Sequence, residues 1–150
     1  MPRKLKLDIE YVPEFSIIGL VSAQKDYRLC WLLNKQLDTD LKRLRDFIFR
    51  PEKNRNPGRF TVFHYALPHL MMRCFLVSNK SSETTLLAEP RNLDYLFLLK
   101  NPKEQFNIKD ISERLRSIPP VEAAIPLITD SKKTSPFLYD FELYLGKALK

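Results

Sequence analysis

Two neighbouring runs constrain the fold of this chain more than any other feature. Residues 60–67 and 70–77 both read as strands, and both carry large apolar residues on either face: Phe60 and Val62 against Phe63 and Tyr65, then Met72 and Leu76 against Phe75 and Val77. Successive side chains of a strand point to opposite sides, so a strand apolar on both must be central and covered from above and below. The link between them, Pro68-His69, is short, and the turn Asn79-Lys80-Ser81-Ser82 follows the second. Short polar links favour antiparallel neighbours.

The rest of the chain supplies further strands and the cover. Residues 4–11 alternate, with Leu5, Leu7 and Ile9 on one face, which predicts a half-buried strand stopped by Pro13. Residues 15–21 form an apolar run too short for a diagnostic period, and a short buried helix is the reading adopted for it. A helix over 26–37 is predicted from the stripe Leu29, Cys30, Leu33 and Leu37, with Asp26 accepting from its first free N–H groups and Trp31 read as packing wall. Residues 43–50 alternate as a strand before the turn-rich 51–58, and residues 84–88 and 93–99 read as two more strands. Ile108, Ile111 and Leu115 mark a helix over 107–117, ended before Pro119-Pro120; 121–128 reads as a strand and 137–149 as a helix. A length of 150 residues suits one domain able to bury roughly 68–70% of its unfolded surface. The expected architecture is therefore a single α+β domain spanning 1–150, a mainly antiparallel sheet of about five to seven strands with helices packed on it.

Composition removes many activities. The only glycines are Gly19, Gly58 and Gly146, so no Gly-rich phosphate loop or dinucleotide turn can be written. His64 and His69 are the only histidines. Cys30 and Cys74 lack Cys-x-x-Cys spacing and read as reduced packing residues of a cytoplasmic protein. The basic start, Arg3, Lys4 and Lys6, is interrupted by Asp8 and Glu10, unlike a secretion signal. The longest nearly apolar stretch, 15–23, is about half of the roughly 20 residues a spanning helix needs. No cofactor or membrane partner is expected.

Charge is localised. Residues 42–59 hold seven bases, Lys42, Arg43, Arg45, Arg50, Lys53, Arg55 and Arg59, against Asp46 and Glu52, a local +5 out of the net +7. These residues predict one electropositive surface, with Arg43 and Arg45 on one face of their strand, fit for an acidic partner: RNA, or an acidic protein such as a carrier protein or enzyme subunit.

The run Asn79-Lys80-Ser81-Ser82, then Leu87-Ala88-Glu89 followed after three residues by Leu93-Asp94-Tyr95, resembles a bacterial family named for its signature, the IPExxxVDY family. Glu89, Asp94 and Tyr95 match; Leu87, Ala88 and Leu93 stand for Ile, Pro and Val. Asp26-Tyr27-Arg28-Leu29-Cys30-Trp31, Leu33-Asn34 and Phe63-His64-Tyr65 extend the likeness over most of 4–128, whereas the stretch from about Ile128 departs from it. The resemblance implies no activity, cofactor or catalytic residue.

Asp94 is the odd residue of that signature. A carboxylate in an apolar strand must be paired, hydrogen-bonded or at the wet end of the strand. Two readings follow. In one, Glu89 and Asp94 are a functional carboxylate pair, with His64 and Asn34 as the nearest further ligands; in the other, which the residues favour, Asp94 is structural, the partner of Arg28 or of backbone N–H groups. The functions left standing are a non-catalytic binding module, a small-ligand sensor or enzyme with a pocket of Glu89, Asp94, His64 and Arg28, and a homodimer formed through an exposed strand edge.

Overall fold

Of the two double-sided runs, residues 72–78 lie in the middle of a covered sheet, whereas residues 62–67 lie one strand from its edge. The computed structural model describes residues 15–50, 56–67, 72–82, 84–88, 92–100, 107–129 and 135–149. The expected strand at 4–11 lies outside these residues, as do Lys53, Arg55, His69 and Glu89. The elements are β1 (Phe15–Ser22), α1 (Asp26–Leu37), β2 (Lys42–Arg43), β3 (Phe47–Phe49), β4 (Gly58–Phe60), β5 (Val62–Leu67), β6 (Met72–Ser78), β7 (Tyr95–Lys100), α2 (Ile108–Arg116), β8 (Val121–Leu127) and α3 (Ser135–Ala148). Six strands form one sheet in the order β2-β5-β6-β7-β1-β8, with every pairing antiparallel; β3 and β4 pair separately. The fold is a single α+β domain with three layers.

Each sheet face has its own core. On one, Ile18, Leu20, Phe63, Cys74, Leu76 and Phe97 meet Leu29, Cys30 and Leu33 of α1 and Leu115 of α2. On the other, Phe15, Ile17, Phe75, Leu96 and Leu98 meet Phe137, Phe141 and Leu145 of α3 and the aromatic β3-β4 pair, where Phe47 and Phe141 stand edge to face at 5.2 Å. Lys100 on β7 donates to Glu142 on α3 at 2.7 Å, fixing that helix along the sheet. Cys30 and Cys74 are free and buried, and burial pushes their thiols up to about 11 and about 12.

Four local expectations need correction. Residues 15–21 are not a helix: β1 hydrogen-bonds β7 on one side and β8 on the other, Ile17 faces α3, and Ile18 faces α1. Gly19 was the overlooked sign, because glycine disfavours a helix and here lets Leu93 approach; a Cβ at Gly19 would stand 2.7 Å from a Leu93 methyl. Residues 43–50 are not one strand, since Leu44 N–H still reaches the Val62 carbonyl at 2.8 Å but the chain then leaves the main sheet to bury Phe47 and Phe49 under α3. The 60–67 strand likewise breaks at Thr61, passing from β4 to β5. Residues 84–88 form only an isolated bridge, Lys80 with Thr85, because the side chain of Asn79 takes over the bonding of Leu87.

Asp26 is the first helical residue rather than the cap. The cap position is Lys25, whose side chain makes no capping bond, while the Asp26 carboxylate accepts from Tyr27 N–H at 2.7 Å. At the far end Asp38 turns left-handed at φ 55°, and Asn34 accepts from Leu41 N–H at 2.8 Å and from the Thr39 hydroxyl at 2.9 Å. The Asn34 amide is thereby committed to the helix terminus. On the sheet edge, β8 exposes Glu122, Ile125 and Pro126, and a proline there withholds one donor from any added strand. Among the described residues no helix is long and apolar enough to cross a membrane.

Candidate functional site

At one end of the sheet the last residues of β1 and β6 and the residues that open β5 and β7 surround a cleft of about 420 Å³. Ser22, Lys25, Asp26, Arg59, Thr61, Ser78, Lys80, Asp94 and Tyr95 line it. An antiparallel sheet necessarily collects alternate strand ends on one edge, and here these ends are polar while the strand centres are apolar.

Asp94 is the anchor of the floor. Its Oδ2 accepts from Ser22 N–H at 2.9 Å, its Oδ1 accepts from Lys80 Nζ at 2.9 Å, and its side chain is only 25% exposed. Tyr95 donates its hydroxyl to the Gln24 carbonyl at 2.5 Å; burial, then the charges of Asp26 and Asp94, push the phenol up to about 12. Together they fasten residues 22–24, the turn that sets where α1 begins. Arg28 is not the partner of Asp94: it lies on the outer side of α1, its guanidinium 4.8 Å from the centre of the Trp31 ring.

Behind Asp94 lies Asn79, which the sequence places in a polar turn. Asn79, 1% exposed, accepts from Leu87 N–H at 2.8 Å and donates to the carbonyls of Leu87 and Leu93, both at 2.9 Å. It clasps the two ends of the loop that carries the IPExxxVDY-like residues. The sequence holds no signal for this role beyond a polar residue placed directly after an apolar strand.

The rim carries the cations Lys25, Arg59 and Lys80 beside the carboxylates of Asp26 and Asp94. Lys80 is tied to Asp94, Arg59 reaches Asp46 at 3.3 Å with a side chain 70% exposed, and Lys25 makes no ion pair among the described residues. The Thr61 hydroxyl is buried without a hydrogen-bond partner among the described residues, although the Thr61 backbone pairs with Ser78. The first turn of α1 opens onto the same cleft through Lys25 and Asp26, and the Asp26 carboxylate accepts from Tyr27 N–H there.

The predicted basic surface is only partly assembled. Lys42 pairs with Asp40 at 3.4 Å; Arg43 and Arg59 converge on Asp46, Arg43 at 2.6 Å, so that one carboxylate offsets two guanidiniums. Arg43 and Arg45 do not share a strand face, because β2 ends at Arg43. Arg45 and Arg50 are exposed, and Arg45 lies with Lys147, Asp46 and Asp140 on a second groove of about 460 Å³ between β3 and α3, where the charges balance. Of the described residues in the basic stretch, Arg59 alone lines the cleft.

The four-residue pocket does not form from the described members. Asp94 lines the cleft, Arg28 lies outside it, and His64 sits further along β5, where its Nε2 is 2.7 Å from Arg73 Nη1 and its ring packs 5.1 Å from Phe75. Burial, then Arg73, hold the His64 pKa down, so the neutral ring accepts from the guanidinium. No group of three His, Cys, Asp or Glu able to hold a metal occurs among the described residues.

Trp31 is not wall. The buried side of α1 is Leu29, Cys30 and Leu33, while Tyr27 and Trp31 are 65% and 47% exposed on the outer side. Comparisons with family models, with curated proteins and with solved structures find no match to this chain.

Proposed function

We propose that the protein is a non-catalytic binding module for an acidic macromolecule, and that the cleft at the sheet end receives its anionic groups. The supporting observation is how the polar groups divide. The Asp94 oxygens and the Tyr95 hydroxyl hold the β1–α1 turn, so the charged groups the cleft presents to a ligand are Lys25, Arg59 and Asp26, two cations to one carboxylate. A cytoplasmic location and membership of the IPExxxVDY family belong to the same proposal; the net charge of +7 favours encounter with polyanions.

The test is binding of mixed single-stranded RNA and of a purified acidic protein at low and moderate salt. Wild type is compared with a variant in which Lys25 and Arg59 are changed to Gln. If RNA is the partner and about two phosphates are neutralised, log K falls against log salt with a slope of about −1.4, from about 0.7 per contact, and the variant flattens it. Equal binding by wild type and variant, or none to either partner at low salt, refutes the proposal.

A further inference from the structure

The outer face of α1 runs directly out of the cleft and has a composition the basic stretch lacks. Lys25 lines the cleft, Tyr27 follows, and Trp31 stands four residues on, on the same stripe and about 6 Å along the axis. Arg28 and Lys35 flank the indole, with guanidinium carbon and ammonium nitrogen 4.8 and 4.2 Å from its centre. Two exposed aromatic rings therefore alternate with three cations over about three turns.

We propose that this face is a base-stacking platform, and that the acidic partner of the cleft is a single-stranded nucleic acid. The proposal rests on the cleft reading above and adds the identity of the partner. A carboxylate-rich protein surface would satisfy Arg28 and Lys35 but gain nothing from the indole, whose π face carries negative potential and repels anions. A nucleotide offers a flat base for the ring and a phosphate for the cation in one unit. Cations over an exposed ring are held more weakly than a base stacked on it. Exchange is therefore favourable: Arg28 and Lys35 swing onto phosphates as bases take their place. A duplex keeps its bases stacked within the helix and cannot make this exchange, which selects single strands.

Trp31 is the only tryptophan, so its fluorescence reports on the platform alone. The full chain is titrated with equal-length mixed single-stranded RNA and DNA, a duplex, inorganic polyphosphate, polyglutamate and phosphatidylserine vesicles. Quenching of Trp31 by single-stranded RNA, DNA or both is expected, stronger than by the duplex. Tyr27→Ala and Trp31→Ala, both at exposed positions, are expected to weaken single-strand binding about tenfold each while leaving polyphosphate binding unchanged. If polyphosphate binds as tightly as RNA and neither alanine variant weakens either, the platform is refuted and the cleft stands as a charge site. Preference for polyglutamate, or a blue shift on vesicles without quenching by RNA, also overturns the platform. If no polyanion binds at low salt, the cleft reading itself falls.

Discussion

Removing the side chain of Asn79 should be the most damaging single polar change in the protein. The amide makes three hydrogen bonds to backbone groups of Leu87 and Leu93 in a site 1% exposed. Each bond contributes about 1 kcal/mol net, and the stranded Leu87 N–H and two carbonyls carry a further desolvation penalty, so Asn79→Ala should lose about 3–5 kcal/mol. For 150 residues, an unfolding entropy of roughly 2 cal/mol/K per residue turns the lower figure into a Tm fall of about 10 °C. Leu86, Leu87 and Leu93 all sit in the core beneath α3, so the loss should also expose the 84–88 segment. Asn79→Asp sharpens the test. The isosteric carboxylate still accepts from Leu87 N–H but sets negative charge against two carbonyls, which raises its folded pKa above the unfolded value. A group raised in this way gives its stability at low pH and loses it as pH rises through the folded pKa, so Asn79→Asp should gain stability relative to wild type as pH falls towards 4. Urea denaturation at pH 7 and pH 4.5, with hydrogen exchange at Leu87, measures both. A loss under about 1 kcal/mol for Asn79→Ala, or an unchanged Leu87 exchange rate, would show that the clasp does not hold the loop.

Asp94→Asn should lose about 1–2 kcal/mol, since Lys80 is 48% exposed and the bridge contributes little beside the Ser22 hydrogen bond. A double-mutant cycle should show coupling of Asp94 to Lys80 and none to Arg28; coupling to Arg28 contradicts the geometry. His64, depressed below its ordinary 6.5, gives stability above that value that is lost as pH falls through the folded pKa, so Tm should drop between pH 7 and 5 in wild type and less in His64→Gln. Equal slopes would remove Arg73 and burial from the account. Gly19→Ala should destabilise by about 1–3 kcal/mol, because its Cβ meets the buried Leu93 methyls at 2.7 and 2.8 Å, whereas Gly146→Ala, with nothing within 4 Å on α3, should stabilise by up to about 1 kcal/mol; thermal melts of the two should move in opposite directions.

What the sequence discloses here follows the range of the forces involved. Strands 62–67 and 72–77 are legible because burial on two faces writes itself into the sequence, and α1 and α2 because a helix on a sheet needs an apolar stripe. β1 is illegible as a strand for the same reason that it is central: with both faces buried, Ile17 and Ile18 are equally apolar and the alternation vanishes. The sheet change at Leu44–Asp46 depends on Phe137 and Phe141 some 90 residues away, so no local pattern announces it. Among site residues, Asp94 is visible because a carboxylate is costly in an apolar strand, but the identity of its cation is decided by the turn after β6, which puts Lys80 and not Arg28 within reach. Reading Trp31 as wall goes against its own helix, because the stripe Leu29, Cys30 and Leu33 already leaves it on the outer side.

The same turn explains why fold and site share residues. Asn79 and Lys80 are adjacent, so consecutive side chains point to opposite sides of the chain: the amide inwards to the loop backbone, the ammonium outwards to Asp94 at the cleft. Asp94 in turn fixes Ser22 and, through its neighbour Tyr95, Gln24, which sets the start of α1 and hence where Lys25, Tyr27 and Trp31 stand. A change at Asp94 therefore acts on the outer face of α1 without touching it. The chain of contacts predicts that Asp94→Asn, while still folded, alters the fluorescence anisotropy of Trp31 less than it alters the hydrogen exchange of Ser22, because the perturbation enters at the first turn and α1 is held along its length by Leu29 and Leu33. A larger change at Trp31 than at Ser22 would mean that α1 is positioned by its outer contacts instead, and the order of cause from strand end to helix face would have to be reversed.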